Sequence, residues 1–332
     1  MSGGAGPVGS GIHALPVPTP FAVGRVNCYL IEDDPLTLVD AGPNSGTSLT
    51  ALEAALAEHG RRIEDLERIV LTHQHIDHIG LAQILAERSG AEVCALDALA
   101  PWLAKYGTHM EADDQFAETV MLRNGIPKDI AIALRAVTAS FRGWGAPVTV
   151  TRPLAPGDEL PFAGRSWRVA HRPGHSPSDT VFHDEQTGVL IGGDHLIKHI
   201  SSNPLISRPL DAGGDAERPR ALITYLASMR ATRAMDVSIV HAGHGDPVED
   251  HRALIDERLA GHERRVGKIA GILADGPKSG FEIAQSMWGN VAVTQAYLTL
   301  SEVLGHIDLL LERGEIDELE DDGVVRFAAR TA

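Results

Sequence analysis

The chain has 332 residues, 43% of them hydrophobic and 22% charged, with a formal net charge of −16. That length allows one large domain and a small one, and the acidic balance disfavours general binding to nucleic acid or anionic lipid, since both reward basic surfaces. Two cysteines, Cys28 and Cys94, exclude a disulfide framework or a sulfur-rich zinc site and read as buried thiols, and no apolar run approaches the roughly 18 residues that cross a bilayer.

In chain order, residues 1–11 are Gly/Ser-rich with no basic or apolar leader, so we read them as a frayed tail and expect a cytoplasmic enzyme. Residues 26–31 and 36–39 are short β-rich runs around the turn Glu32-Asp33-Asp34-Pro35. Residues 48–59 are rich in Ala, Leu and Glu and meet Gly60, as a helix with a C-terminal glycine does. Residues 68–71 read as a buried strand, followed by a helix from Asp77 to Gly90. Residues 97–146 break the rhythm and read as an inserted helical subdomain, with Trp102, Tyr106, Met110, Phe116, Met121 and Trp144 divided between core and pocket. Strand character returns at 148–150, 166–169, 180–183, 189–191 and 237–240, with an amphipathic helix at 219–229. A long helix over 251–274 ends at Asp275-Gly276-Pro277, a helix stop and domain boundary. Two helices at 281–288 and 294–313 then precede a hairpin, 315–319 and 324–327, in a winged-helix pattern.

The segment Thr72-His73-Gln74-His75-Ile76-Asp77-His78 follows the apolar run Ile69-Val70-Leu71 and packs three imidazoles and a carboxylate into six positions. Buried as core, each would need its own polar partner; a borderline divalent cation explains all four. Residues two apart in an extended segment point the same way, so His73 and His75 can grip one ion. Asp77 and His78 open the next helix and diverge towards a second point, which suits a pair of ions roughly 3.5–4 Å apart. Further ligands are offered by Arg172-Pro173-Gly174-His175-Ser176, Ile191-Gly192-Gly193-Asp194-His195 and Val240-His241-Ala242-Gly243-His244-Gly245, each a glycine-backed loop after a strand-like run.

On these residues the chain resembles the metallo-β-lactamase-fold hydrolase superfamily. The signature His-x-His-x-Asp-His is met by His73, His75, Asp77 and His78, and the later motifs by His175, Asp194 and His244. The resemblance covers about residues 15–262. It implies an α/β fold, the αβ/βα four-layer sandwich, as a catalytic domain over 1–262 with the 97–146 insertion, and a winged-helix-like domain over 263–332. It implies that His73, His75 and His175 bind one metal, that Asp77, His78 and His244 bind a second, and that Asp194 bridges them. Asp40 matches the early Asp that supports the site without binding metal. Zinc is the first choice for both ions, with iron and manganese as alternatives. Asp at the bridging position is similar to the glyoxalase-II and ribonuclease branches, and residues 195–204 and the tail are similar to a subgroup with a winged-helix extension.

Two cations sharing one water lower its pKa towards neutrality, and Asp77 is the catalytic residue expected to orient it. The expected activity is hydrolysis of a small carbonyl ester, a thioester or lactone. The alternative is phosphodiester cleavage in nucleic acid, against which stand 11 acidic and seven basic side chains in residues 264–332. A binding module with a vestigial site is opposed by the intact ligand set. The partners expected are a small-molecule substrate, no membrane, and a second copy of the chain meeting the apolar face of Leu298, Leu300, Val303, Leu304, Ile307, Leu310 and Leu311, unless the hairpin covers that face. His195 and His241 divide between substrate contact and support of a ligand. His13, His59, His109, His251, His262 and His306 read as solvent-facing or locally satisfied, and Ser176 and Asp179 as turn residues.

Overall fold

The structure is a computed structural model that describes residues 11–202, 204–213 and 216–330. The tail expected over residues 1–11 lies, but for Gly11, outside the described residues.

The first sheet holds β1 (Ile12–Val17), β2 (Val26–Ile31), β3 (Thr37–Val39), β4 (Arg68–Val70), β5 (Glu92–Leu96) and β6 (Arg152–Leu154), paired in chain order. Pairing is antiparallel up to β3 and parallel from there to β6. The second sheet holds β7 (Glu159–Pro161), β8 (Ser166–His171), β9 (Thr180–Asp184), β10 (Val189–Gly193) and β11 (Ile239–Ala242) in the order β11-β10-β9-β8-β7.

Alternation along the strands builds the layers, because successive side chains leave opposite faces of a sheet. Tyr29, Ile31, Val39, Val70 and Cys94 meet Trp167, Val169, Phe182 and Ile191 between the sheets. Their neighbours Cys28, Leu30, Leu38 and Ile69 face outward onto Leu52 and Leu56 of α1 (Gly46–Glu58). On the other side Val181, Leu190 and Val240 share a cluster with the helices beyond them. Helix, sheet, sheet, helix is the four-layer sandwich expected from the motif.

The loop after β4 enters α2 (Ile76–Ile79), which stops before α3 (Ala82–Ser89). The single helix expected from Asp77 to Gly90 is therefore broken. A Cβ at Gly80 would lie 2.2 Å from Asn44 N and 2.4 Å from Trp144 O, so two backbones close on the chain there. The insertion is helical, as expected: α4 (Ala100–Ala104), α5 (Tyr106–Arg123) and α6 (Lys128–Phe141). The strand expected at 148–150 forms four residues later, as β6. Val148 instead donates its N–H to Leu103 O and buries its side chain in the outer core. Strands β1, β5 and β7 had no separate reading in the sequence.

The second sheet's outer layer is α7 (Ala221–Arg233) and α8 (His251–Leu273), the latter capped by Asp250, whose side chain accepts from Ala253 N. Beyond it come β12 (Lys278–Ser279), α9 (Gly280–Trp288), α10 (Val291–Thr294), α11 (Ala296–Glu312), β13 (Ile316–Asp321) and β14 (Val324–Ala329), with a sheet ordered β12-β14-β13. Ser279 and Glu282 close a capping box at the start of α9. Leu300, Val303, Leu304, Ile307 and Leu310 are buried in one core with Leu222, Met229, Val266 and Ile269 of α7 and α8. The apolar face considered for a second copy is thus largely occupied within the chain; Leu298 remains 43% exposed. No helix among the described residues is long and apolar enough to cross a membrane.

Candidate metal centre

Asp40 follows β3, residues 73–78 follow β4, His175 follows β8, Asp194 follows β10 and His244 follows β11. All but Asp77 and His78, which lie in α2, are in loops at the carboxyl ends of strands, where short connections can carry polar groups over a rigid sheet edge. They converge on one point between the sheets.

His75 Nδ1 lies 3.1 Å from His73 Nε2 and 3.0 Å from His175 Nε2, and His175 Nε2 lies 3.5 Å from Asp194 Oδ2. On the other side, His244 Nε2 is 3.4 Å from both Asp77 Oδ2 and Asp194 Oδ2, and His78 Nε2 is 3.5 Å from Asp194 Oδ1. The seven residues named from the sequence are therefore brought together in two groups, each with its ligand atoms within 4.8 Å of one another, and Asp194 touches both. His78 Nε2 and Asp194 Oδ1 are buried with no hydrogen-bond partner. Orphaned atoms of this kind demand an explanation, and a divalent cation, which nitrogen and carboxylate ligands suit, supplies it.

Outer contacts aim these atoms. Asp40 sits at φ 57°, a left-handed conformation uncommon for a residue with a side chain. Its Oδ2 accepts from His78 Nδ1 at 2.7 Å and from Thr72 Oγ1 at 2.8 Å, while Oδ1 accepts from Thr72 N at 2.9 Å. With its proton given to Asp40, Thr72 Oγ1 accepts from His73 Nδ1 at 3.0 Å. One carboxylate thus orients a ring in each group and leaves both Nε2 atoms facing inward. His244 Nδ1 donates to Arg25 O at 2.8 Å to the same effect. Thr72 was missed in the sequence; its only signal is a hydroxyl directly before the first His.

The His244 turn is held from β2. Asn27 Nδ2 donates to Ala242 O at 3.1 Å and Gly245 O at 2.8 Å, and Tyr29 OH to Ala242 O at 2.6 Å. Gly243 is required by proximity: a Cβ there would stand 2.2 Å from Asp194 Oδ1 and 2.8 Å from His78 Cε1. Asp179 closes the His175 turn, accepting from Ser176 N at 2.8 Å and Ser176 Oγ at 2.6 Å. His195 bonds Thr232 Oγ1 at 2.9 Å on α7, and His241 packs against the Tyr29 ring with centroids 5.1 Å apart.

The two groups differ in charge. Burial and neighbouring imidazoles push His73 well below its ordinary value and His75 down to about 3, so both rings are neutral. Burial also opposes a proton on His78 and His244, but Asp194 and its fellow carboxylates outweigh it, raising His78 strongly and His244 to about 9. Burial would raise Asp194, yet His78 and His244 hold it well below the usual carboxylate range. A separate cavity of about 820 Å³ lies between α5, residues 216–220 and the tail, and none of the seven residues lines it.

A sequence profile described as the metallo-beta-lactamase superfamily matches residues 22–244, the span that carries all seven. The chain belongs to the metallo-β-lactamase superfamily. It is 32% identical to the "Probable metallo-hydrolase YqjP" of Bacillus subtilis (strain 168) over 95% of its own length and 97% of that protein's. A metallo-β-lactamase family protein of Thermus thermophilus aligns with a TM-score of 0.80 at 27% identity, over 96% of this chain and 99% of that one. A β-lactamase domain protein of Burkholderia ambifaria does so with a TM-score of 0.80 at 29%, over 96% and 92%. A shorter stretch of 67 residues is 43% identical to the exodeoxyribonuclease WalJ of Streptococcus pneumoniae serotype 2, covering 20% of this chain and 23% of that one. This superfamily member is a metal-binding hydrolase.

Proposed function

We propose that this metallo-hydrolase cleaves a small carbonyl ester, a thioester or lactone, in the cytoplasm. Zinc is the ion these side chains suit: His73, His75 and His175 would hold one, Asp77, His78 and His244 a second, with Asp194 within reach of both. When bound, such a pair lowers the pKa of a shared water and polarises the substrate oxygen. Asp77 keeps Oδ2 towards His244 and offers Oδ1 to a hydrogen of the attacking water. Asp40 and Thr72 hold the rings of His78 and His73 still while this happens.

The observation that carries the substrate class is enclosure. Six of the seven ligands are at most 9% exposed, and His75 alone is more open. The end of the insertion also packs beside Gly80 at the end of α2, the helix that carries Asp77 and His78, where Asn44 N donates to Trp144 O at 2.6 Å. A site that opens at one imidazole admits a small acyl group more readily than a duplex. The tail adds to this: a helix that reads a groove must present its surface, whereas α11 buries twelve of its residues.

A second reading, cleavage of nucleic acid phosphodiesters, is favoured by the short likeness to WalJ. Turnover of thioesters, lactones, β-lactams and bis-p-nitrophenyl phosphate by metal-quantified protein decides between them. We expect thioester or lactone kcat/KM to exceed that for the phosphodiester by ~100-fold or more, about 2.7 kcal/mol in barrier. Preference for the phosphodiester, with nucleic acid binding that weakens steeply with salt, would establish the second reading instead.

A further inference from the structure

Helices α8 and α11 meet at a second group of possible ligands, apart from the centre described above. His262 on α8 and His306 on α11 are 1% and 0% exposed, against the solvent-facing alternative read in the sequence. Glu302 lies four residues before His306, so both share one face of α11. Ligand atoms of His262, Glu302 and His306 all fall within 4.8 Å of one another.

We infer that these three residues form a third cation site, one that fastens the tail to the catalytic layers and takes a borderline divalent ion such as zinc. His262 Nδ1 lies 3.1 Å from His306 Nε2, the spacing seen between the imidazoles of the main centre. Ligand nitrogens around a tetrahedral zinc stand about 3.3 Å apart, given zinc–nitrogen bonds near 2.05 Å. A hydrogen bond between neutral rings has much the same length, so the surroundings of the pair bear on the case. His306 Nδ1 donates to Glu302 O, one turn back on its own helix, at 2.6 Å. Its remaining lone pair, on Nε2, is thereby aimed at His262, the usual way in which a ligand imidazole is oriented. Beside the pair stands Glu302, whose Oε1 is buried with no hydrogen bond. Two imidazoles and a carboxylate are a zinc-binding set, and Glu302 Oε1 lies 3.9 Å from His306 Nδ1.

Arg265 is the competitor. Its Nε lies 3.1 Å from Glu302 Oε1, so a cation must share that oxygen with a guanidinium, and the site is weaker than the main centre. The inference does not depend on the proposed substrate or on activity.

The test is zinc stoichiometry on the full chain, stripped with chelator and titrated by calorimetry, with unfolding temperature followed in parallel. Wild-type protein should take three equivalents, the third more weakly, and the third should raise the unfolding temperature. Asp194→Ala, which disables the main centre, should keep one. His262→Gln should take two, and Glu302→Gln should weaken the third equivalent at least tenfold; the second variant serves if the first fails to fold. Two equivalents in the wild type would overturn the inference, as would a third that survives both substitutions unchanged, leaving only a hydrogen bond between neutral rings.

Discussion

The two halves of the metal centre use the same side chain in opposite protonation states. His73 and His75 stand among other imidazoles and are driven neutral; His78 and His244 stand among Asp40, Asp77 and Asp194 and are driven towards imidazolium. Burial acts the same way on all four, so the local count of carboxylates makes the difference. The first half is ready to receive a cation, whereas the second must surrender protons to do so. Metal loading of the second half is therefore the step coupled to pH.

The most severe way to break this contrast is Asp194→Ala, because the Asp194 carboxylate lies within 3.5 Å of imidazole nitrogens in both groups. Both ions of the centre and all measurable turnover should be lost together, an effect beyond the 10–100-fold typical of outer contacts. Turnover that persisted in metal-free buffer would rule the mechanism out. Next comes Asp40→Asn, which weakens acceptance from His78 Nδ1 and Thr72. Chelator competition should show roughly 10–100-fold weaker binding of the second ion, with the first ion affected less, through Thr72 alone. Equal loss at both sites would contradict the separation drawn here.

The smallest effect is on stability without metal. His244 has a folded pKa near 9 against an ordinary 6.5. A raised pKa contributes stability that is fully present below about 6.5 and disappears as pH rises through about 9. Metal-stripped protein should therefore lose unfolding temperature, on the order of a few degrees, between pH 7 and 9.5. Metal-loaded protein should lose less over that window, since a cation, not a proton, then balances the carboxylates. Parallel melting curves of the two forms check this.

The ligands were legible because metal binding writes itself into local spacing: His73 and His75 two apart on an extended segment, Asp77 and His78 at a helix start, and single ligands beside glycines. The four layers were expected only through the family resemblance that these ligands carry, while a mostly apolar run such as 26–31 marked a single buried strand. What was not legible depends on distant partners. At the break after Gly80, Leu81 N donates to Gly42 O at 3.1 Å instead of continuing the helix, and Gly42 is not near it in sequence. Strand β6 is set by its register with β5, Cys94 opposite Arg152, which outweighs the alternating Val148-Thr149-Val150. His262 and His306 look like any helix-surface histidines until α11 is laid on α8. Thr72 had no spacing to announce it, since its role follows from Asp40 lying across two strands.

Anomalous diffraction from crystals grown with zinc tests the central claim most directly. The account predicts two peaks roughly 3.5–4 Å apart, one beside His73 Nε2, His75 Nδ1 and His175 Nε2, the other beside Asp77, His78 Nε2 and His244 Nε2, with Asp194 between them. A single peak, or none among these seven side chains in protein that turns substrate over, would contradict it.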